Sequence, residues 1–301
     1  MKFLVLGLSG QDGQILEVLA EKHSIEIFGI SHKKTKAKNK SFFWDGSSST
    51  LREILLKTMP DVVVNFSAVH SSSLKSDDIN FNDMYKTNAF NVLTILQQIY
   101  YVCPSAKYVN SLSSHMYKEN QNKLIDENTF IEPRNFYGLT KKQALDISEF
   151  FENNYGIKTL NLIMFNHESE FRSEDFLTKR ISKSLAEIYK GKSAEITVEN
   201  QLKAEDFSDA YDFMEALIYL CKHEKTGRFV LSSNKLSTIQ DLIYITGKKL
   251  GINNIKIISN NPQKSYSLTG DNKKLLSTGF KFNSNIIEAL HRMTIEIIEN
   301  E

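Results

Sequence analysis

Short runs of consecutive apolar residues alternate, in the first half of the chain, with longer segments whose apolar positions recur every three or four residues. The short runs predict strands at 2–7, 25–30, 41–46, 61–68, 106–111 and 158–165. The longer segments predict helices at 12–22, 47–59, 78–101 and 136–155. This alternation predicts an α/β fold built on a parallel, doubly wound sheet.

After about residue 166, the alternation of short apolar runs with longer helical segments becomes less regular. The later helices are predicted at 174–190, 209–222, 237–250 and 284–299, and short strands near 195–198, 227–231 and 254–258. We therefore expect one domain over 1–165 and a smaller C-terminal lobe mostly over 166–301, whose chain can cross back to the first domain. Open α/β sheets bind ligands at the carboxyl ends of their strands, so we expect the chemistry there.

Charge and cysteine content narrow the classes of partner. The 301 residues include 37 Lys and Arg and 36 Asp and Glu, so a net charge of +1 does not favour nucleic acid or an anionic membrane. Cys103 and Cys221 stand in unrelated contexts, which suggests neither a disulfide framework nor a metal site. The apolar runs are too short for a membrane span or a signal peptide. We expect a cytoplasmic protein with a small-molecule partner and no metal.

The segment GLSGQDG, residues 7–13, places three glycines between the first strand and the first helix. Glycine permits positive φ and a close approach of the backbone, and the N–H groups of a first helical turn attract a pyrophosphate. A plain corner between strand and helix would use the same residues, but this position favours dinucleotide binding. The candidate cofactor contacts in this turn are Gly7, Gly10, Gln11, Asp12 and Gly13.

The end of the second strand bears on which nicotinamide cofactor binds. An NAD site usually offers a carboxylate there to the ribose 2′-hydroxyl. This chain has Ser31, His32 and Lys33 instead, which suit a 2′-phosphate, so NADP(H) is favoured and NAD is the alternative. These residues can also belong to a solvated loop. Asp45, after the third strand, is placed to accept a hydrogen bond from the adenine amino group.

Tyr137 and Lys141, in NFYGLTKKQA, lie four residues apart on a predicted helix and therefore on one face. A nearby ammonium lowers the pKa of a phenol from its usual value of about 10, so Tyr137 can exchange a proton with a substrate hydroxyl. Ser113, at the end of the fifth strand in YVNSLSSHMYK, would orient the same hydroxyl. A surface pair and a helix-capping loop are the alternatives. We interpret the three residues as catalytic.

Longer segments carry a family resemblance. They are GLSGQDGQIL, NFSAVHSS, NFYGLTKKQA, LNLIMFNHESEFRSEDFLTKRISKSLAEIYKG, DFSDAYDFMEAL and LTGDNKKLLSTGFKF. In this order they resemble the GDP-mannose 4,6-dehydratase branch of the extended short-chain dehydrogenase/reductases. The resemblance implies a Rossmann domain, a C-terminal lobe for a sugar nucleotide (GDP-linked by this resemblance), bound NADP(H), and a homodimer or homotetramer.

The resemblance also implies roles for individual residues. Ser113, Tyr137 and Lys141 correspond to the catalytic trio of the family. The further residues implied are Ser67, Ala68 and His167 on the cofactor side, Asn166 on the substrate side, and Asn88 near the strand ends of the active site.

Three positions depart from the family pattern. His115 stands where the dehydratases have a Glu for the elimination; an imidazole can act as acid or base, or can be structural. Glu205 and Asn261 stand where the family has arginines that hold the diphosphate. The cations that can compensate for them are Arg172, Lys179, Lys203 and Lys264, of which Arg172 and Lys179 are our substrate-binding candidates. A different activated sugar, or a substrate without a diphosphate, therefore stays open.

Three hypotheses about function follow from these residues. The first is an NADP-dependent oxidoreductase at C4 of a nucleotide sugar, a ketoreductase or epimerase, which needs only Ser113, Tyr137 and Lys141. The second is a 4,6-dehydratase, in which His115 replaces the usual Glu. The third is a cofactor-binding subunit without catalytic activity, which the lost arginines favour and the intact trio argues against.

Overall fold

In the computed structural model, which describes residues 1–31, 40–70, 80–118, 124–266 and 268–300, the central element is a sheet of seven strands. In spatial order they are β11 (Gly227–Leu231), β7 (Thr159–Met164), β5 (Lys107–Ser113), β4 (Val62–Asn65), β1 (Lys2–Leu6), β2 (Glu26–Ser31) and β3 (Ser41–Phe43). The pairs from β7 to β3 are all parallel. The α/β fold with a parallel, doubly wound sheet is thus confirmed.

The strand order changes direction at β1, which lies between β2 and β4. Leu6, the last residue of β1, is paired with Asn65, the last residue of β4. Gly7 and Phe66 therefore leave the sheet side by side. A switch point of this kind opens a crevice at the carboxyl ends of the strands, and nucleotides bind in such crevices.

Helices connect the strands of this sheet. They are α1 (Gln11–Lys22), α2 (Ser48–Thr58), α3 (Phe81–Tyr85), α4 (Asn91–Val102), α5 (Phe136–Tyr155) and α7 (Ala210–Lys222). The buried face of α1 includes Ile15, Leu16, Leu19 and Ala20, and the Ser47 side chain caps α2 by accepting a hydrogen bond from the Thr50 N–H. The single helix predicted over 78–101 is instead divided, because a π-helical turn at Lys86–Phe90 separates α3 from α4.

The chain divides into two compact units. The first comprises Met1–Lys118, Phe130–Met164 and Met214–Phe229, and the second Glu119–Thr129, Phe165–Phe213 and Val230–Glu301. None of the described helices is both long enough and apolar enough to cross a bilayer. Cys103 and Cys221 are buried free thiols.

A second sheet organises the second unit around β10 (Lys203–Asp209). β10 pairs with β8 (Asn166–Glu168), β12 (Leu236–Thr238) and β14 (Ser265–Tyr266). The remaining strands are β6 (Leu124–Ile125), β9 (Glu195–Val198), β13 (Lys256–Ser259) and β15 (Thr269–Gly270). The helices are α6 (Leu177–Tyr189), α8 (Ile239–Lys249), α9 (Lys273–Ser277) and α10 (Ile286–Asn300). Ile181, Phe207, Leu242 and Leu290 belong to the core that these elements enclose.

Candidate active site

In the glycine turn between β1 and α1, steric constraints require glycine at two of the three positions. Gly7 has a φ of +84°, which side chains rarely adopt, and a Cβ there would lie 3.0 Å from the backbone carbon of Phe66. A Cβ on Gly13 would lie 2.5 Å from the Cα and the carbonyl oxygen of Leu8. Gly10 is the N-cap of α1, and no side chain caps the helix there. The turn therefore presents backbone where a diphosphate would bind.

A cavity of about 580 Å³ lies against this turn at the switch point. Its wall includes five of the predicted cofactor contacts, namely Gly7, Gly10, Asp45, Ser67 and Ala68. Asp45 accepts a hydrogen bond from the Ser47 backbone N–H at 2.9 Å, and hydrogen bonds from Ser47 lower the pKa of this carboxyl. The volume of the cavity and its glycine-lined wall fit part of a dinucleotide.

Of the three residues predicted to select NADP over NAD, the structure describes only Ser31. Ser31 is half-buried at the end of β2, and its carbonyl oxygen accepts a hydrogen bond from the Trp44 N–H at 3.0 Å. His32 and Lys33 lie outside the described residues. The preference for a 2′-phosphate at this strand end stays a prediction.

Lys141 is buried beside the predicted catalytic tyrosine. Its Nζ donates a hydrogen bond to the carbonyl oxygen of Ser111 at 2.7 Å and lies 5.7 Å from the centre of the Tyr137 ring. Burial lowers the pKa of Lys141 to about 8, and the negative charge of Asp12 opposes this shift. Asp12, in the first turn of α1, and Lys141, on α5, therefore interact electrostatically. A positive charge this close to the ring favours the ionised form of the Tyr137 phenol.

The start of α5 positions Tyr137. Asn135 is the N-cap, and its Oδ1 accepts a hydrogen bond from the Gly138 N–H at 2.8 Å. A Cβ on Gly138 would lie 1.9 Å from the carbonyl oxygen of His115, so only glycine allows the helix to approach that turn. Tyr137 is buried with 7% of its surface exposed. The local sequence NFYG thus brings the phenol against the turn that follows β5.

Ser113 and His115 lie in that turn, where β5 ends. The Ser113 hydroxyl accepts a hydrogen bond from the His115 backbone N–H at 3.2 Å. The His115 ring lies edge-on to Tyr137, with ring centres 5.5 Å apart. Its Nε2 contacts an Arg134 guanidinium nitrogen, and its Nδ1 lies 3.1 Å from the Asn135 side-chain nitrogen. Both ring nitrogens of His115 therefore face protein groups.

His70, a residue that the sequence analysis did not single out, also contacts Tyr137. The ring centres of His70 and Tyr137 are 4.3 Å apart, closer than those of His115 and Tyr137. The two imidazoles are 5.5 Å apart, so three rings form one cluster. The sequence feature that could have indicated this contact is the position of His70. It follows β4, at the same edge of the sheet as Ser113.

Asn88 holds the loop after β4 in place. Its Oδ1 accepts a hydrogen bond from the Val69 N–H at 2.9 Å, and its Nδ2 donates to the Val69 carbonyl oxygen at 3.0 Å. The same nitrogen lies 3.1 Å from the Thr140 hydroxyl oxygen, and that hydroxyl donates to the Tyr137 carbonyl oxygen at 2.8 Å. Asn88 is buried in the π-helical turn. It links the backbone next to His70 to α5, and its predicted role near the strand ends stays a prediction.

Gln11 is the first residue of α1 in the first unit, and the remaining predicted site residues lie in the second unit. Asn166 donates a hydrogen bond to Glu205 Oε2 at 2.8 Å, and Lys203 forms an ion pair with the same carboxylate. His167 Nδ1 donates to the Phe165 carbonyl oxygen at 2.7 Å, and its ring packs on Phe213. A carboxylate therefore stands beside the predicted substrate contact Asn166.

Arg172 and Lys179 are held by acceptors of the second unit. The Arg172 guanidinium donates to both carboxylate oxygens of the buried Glu168, at 3.0 and 3.3 Å, and stacks on the Phe176 ring. Lys179 Nζ donates to the Glu170 carbonyl oxygen at 2.7 Å and lies 3.3 Å from Glu296. A substrate anion would have to compete with these partners. The assignment of both residues to substrate stays a prediction.

The parallel sheet, the glycine turn and the pair formed by Tyr137 and the buried Lys141 define an extended short-chain dehydrogenase/reductase. A model of the GDP-mannose 4,6-dehydratase family matches residues 4–283. The chain belongs to this family, and the resemblance found in the sequence is confirmed.

Curated relatives agree with this placement. The chain is 28% identical to the GDP-mannose 4,6 dehydratase 1 of Arabidopsis thaliana over 272 residues, which are 83% of this chain and 75% of that protein. It is 26% identical to the GDP-mannose 4,6-dehydratase of Vibrio cholerae serotype O1 over 270 residues, which are 83% of this chain and 72% of that protein. The chain is an NAD(P)-dependent sugar-nucleotide oxidoreductase or 4,6-dehydratase, as the sequence predicted.

Solved structures share the fold. The RMD structure from Pseudomonas aeruginosa complexed with NADPH superposes with a TM-score of 0.84 at 18% identity, and the match covers 100% of this chain and 98% of that chain. The UDP-N-acetylglucosamine 4-epimerase of Bacillus cereus superposes with a TM-score of 0.80 at 18% identity, with 99% of each chain covered. The NADPH in the first of these structures is the cofactor that the sequence predicts for this chain.

Proposed function

We propose that this protein is an NADP-dependent oxidoreductase that acts at C4 of a nucleotide-activated sugar, as a 4-keto sugar reductase or epimerase. The family and the curated relatives support a nucleotide sugar as the class of substrate, with a GDP-linked sugar as the first choice. The observation that carries the proposal is the buried Lys141. Its ammonium lies 5.7 Å from the centre of the Tyr137 ring, and Asp12, in the first turn of α1, interacts with it electrostatically.

Each of the three catalytic candidates has a separate task. A nicotinamide cofactor bound at the glycine turn would supply or accept a hydride at the sugar carbon. Tyr137 gives its phenolic proton to the C4 carbonyl oxygen in the reducing direction, or takes it from the hydroxyl in the oxidising direction. The Ser113 hydroxyl hydrogen-bonds the same oxygen and orients it. The Lys141 ammonium stabilises the phenolate that Tyr137 becomes.

The second candidate function is a sugar-nucleotide 4,6-dehydratase, which the names of the curated relatives favour. After oxidation at C4, this reaction needs a base for the C5 proton and an acid for the C6 hydroxyl. His115 stands where the relatives' Glu is expected, but Arg134 and Asn135 face its ring nitrogens. This arrangement supports the simple redox reaction over the elimination.

Turnover on a panel of nucleotide sugars separates the candidates. A 4-keto reductase oxidises NADPH when given a GDP-linked 4-keto sugar, and the product carries a C4 hydroxyl. A dehydratase converts GDP-mannose into a product with a new methyl group and solvent deuterium at C5. Binding of NADPH, seen by fluorescence, without turnover on any sugar of the panel would contradict both and favour a cofactor-binding subunit.

We also propose that the chain forms a homodimer through the exposed faces of α4 and α5, which pack on each other. Three aromatic side chains on them remain 40 to 54% exposed, namely Tyr100, Phe150 and Tyr155. Tyr155 contacts the other two rings, with centres 5.1 and 5.9 Å apart. A contiguous aromatic patch on adjacent helices is typical of a self-complementary interface.

Light scattering on purified protein tests this dimer. We expect twice the chain mass for the wild type and a single chain for Phe150→Glu. Tyr189→Glu is the matched control, because Tyr189 is an equally exposed aromatic residue of α6, in the second unit. An unchanged mass for Phe150→Glu would contradict the proposed interface.

A further inference from the structure

The cavity at the switch point has a second wall, which the sequence analysis did not predict. Besides the glycine turn and the loops after β3 and β4, the residues that line it are Asp83, Lys86, Thr87 and Asn91. They belong to α3, to the π-helical turn and to the first residue of α4. All of them lie in the first unit, as the glycine turn does.

The lining of the cavity indicates which half of a dinucleotide it takes. Asp45, which follows β3, lines the cavity, whereas Tyr137 is not among the lining residues that the structure describes. In the proposed reaction, the nicotinamide has to reach the sugar carbon beside Tyr137. The cavity therefore suits the adenosine half and the diphosphate, which the N–H groups of the glycine turn attract.

The π-helical turn brings Lys86 and Asn91 to the same side of the helix. The backbone N–H of Asn91 donates a hydrogen bond to the carbonyl oxygen of Lys86, five residues earlier. In an α-helix, residues five apart differ by about 140° around the axis and face different directions. The wider turn closes after five residues instead, and both residues line the cavity. Single π-helical turns are frequent at functional sites.

Lys86 supplies positive charge to the cavity. The other charged residues that line it, in the part of the chain that the structure describes, are Asp45 and Asp83. Lys86 is exposed, and no carboxylate of the described residues forms an ion pair with it. Its ammonium is therefore available to a diphosphate, which would otherwise meet two carboxylates.

Asn91 carries a buried acceptor without a partner. The residue keeps only 5% of its surface exposed, and its Oδ1 accepts no hydrogen bond from any described residue. A buried acceptor that stays unpaired costs free energy, so it needs an explanation. A donor supplied by a ligand would remove this cost. The adenosine half of NADP offers two kinds of donor, the amino group of the base and the hydroxyl groups of the ribose.

We propose that Lys86 and Asn91 bind the adenosine diphosphate part of the cofactor. The Lys86 ammonium pairs with the diphosphate, and Asn91 Oδ1 accepts a hydrogen bond from the adenine amino group or from the ribose. This inference rests on the NADP dependence in the proposed function. Its test needs no sugar, because cofactor binding is measured directly.

Isothermal titration of the full chain with NADP⁺ and with NAD⁺ tests Lys86. We expect Lys86→Met to raise the Kd of both dinucleotides about tenfold, because both carry the diphosphate, and Lys86→Arg to keep them within about threefold. Lys57→Met is the control, because Lys57 is an exposed lysine of α2 outside the described wall of the cavity. Unchanged Kd values in Lys86→Met would overturn the proposal. A loss confined to NADP⁺ would also overturn it, because Lys86 would then bind the 2′-phosphate.

Asn91→Leu tests the unpaired acceptor, since leucine keeps the size of the side chain and removes the oxygen. We expect the Kd of NADP⁺ to rise about fivefold to tenfold, while the Tm of the ligand-free protein stays the same or rises. A purely structural role predicts a lower Tm and an unchanged Kd, which would overturn the assignment. Asn91→Ala replaces the leucine variant if that variant does not fold.

Two nucleotides identify the donor to Asn91. Inosine diphosphate lacks the amino group that adenosine diphosphate carries. A loss of affinity in Asn91→Leu with adenosine diphosphate alone assigns the amino group, and equal losses assign the ribose. No loss with either nucleotide would overturn the role of Asn91. A wild type that binds neither dinucleotide would count against the proposed function, whereas a wild type that binds, with both variants unaffected, would count against this inference alone.

Discussion

Lys141 in the first unit and Arg172 in the second are both cations that are largely shielded from water, but their hydrogen-bond partners differ. The Lys141 ammonium donates to a carbonyl oxygen, and burial lowers its pKa to about 8. The Arg172 guanidinium instead donates twice to the carboxylate of Glu168. The pKa of Lys141 therefore lies near neutral pH, whereas the charge of Arg172 is neutralised by the carboxylate of Glu168.

The same contrast extends to the neighbours of each cation. Lys141 lies beside the Tyr137 ring, and the rings of His70 and His115 pack on the same tyrosine, so ionisable groups surround this phenol. In the second unit, Arg292 binds Asp209 and Glu170, and Lys203 binds Glu205. The first arrangement suits proton transfer and the second suits stability. Loss of activity and loss of stability should therefore follow from different substitutions.

The largest expected effect is on activity in the first unit. Tyr137→Phe removes the phenolic proton and keeps the ring that packs against His70, so we expect kcat to fall by about 10² to 10⁴. NADPH binding, followed by fluorescence, should stay close to that of the wild type. Turnover measured on the substrate that the panel identifies checks the loss. Unchanged turnover would contradict the assignment of Tyr137 as catalytic acid and base.

The second expected effect is on stability in the second unit. Glu168→Gln leaves the Arg172 charge without its carboxylate and weakens the hydrogen bond that the Thr178 hydroxyl donates at 2.5 Å. Because Glu168 is buried, we expect a loss of about 3 kcal/mol in the free energy of unfolding. Urea denaturation followed by circular dichroism measures it.

The control for this prediction is an ion pair exposed to water. Lys142 and Asp146 lie four residues apart on α5, and each keeps at least 34% of its side chain exposed. Asp146→Asn should cost less than about 0.5 kcal/mol, because water screens such pairs. Equal losses in the two variants would remove the contrast between the buried pair and the surface pair.

Local spacing explains what the sequence could predict. The glycine turn and the four-residue interval between Tyr137 and Lys141 are properties of consecutive residues, and the structure brings these residues into the expected arrangement. The central strands were also predictable, because strands such as β4 are apolar at almost every position and buried on both faces.

β10 shows why the second unit was harder to predict. This strand reads KAEDFSD, and its buried positions include Asp206, Ser208 and Asp209. Asp206 accepts hydrogen bonds from Ser233 and from the Gly270 N–H, and Asp209 binds Arg292, so partners distant in sequence satisfy these polar groups. Without those partners, the segment has neither an apolar run nor a regular alternation of apolar and polar residues, so the sequence predicts no strand there.

The same limit applied to the candidate site. The sequence shows that Arg172 is a cation but not that Glu168 neutralises it, because residues four apart outside a helix need not meet. His70 and Tyr137 are separated by many residues, so their contact depends on the fold. The presence of single chemical groups was thus predictable, whereas the pairing of groups from different elements was not.

The smallest expected effect is a pH dependence that arises from Lys141. Its pKa is lowered from 10.5 to about 8 by burial, so the ammonium is present below about pH 8 and disappears above it. If the ammonium is the active form, kcat/KM should fall about tenfold between about pH 7 and about pH 9. The linked effect on stability has the opposite sign. Keeping the buried ammonium charged costs free energy below pH 8, and this cost vanishes as the pH rises from about 8 towards 10.5.

Lys141→Arg sharpens this prediction, because a guanidinium stays charged throughout the range. Whatever activity the variant retains should lack the decline near pH 8, since the titrating ammonium has been replaced by a permanent charge. Lys142→Met is the matched control, as Lys142 is the exposed neighbour on the same helix, and its pH profile should follow the wild type. The measurement is initial rate against pH in buffers of constant ionic strength. A decline that persists in Lys141→Arg would show that another group ionises near pH 8. Lys141 would then no longer differ, as a titrating cation, from the ion-paired cations of the second unit.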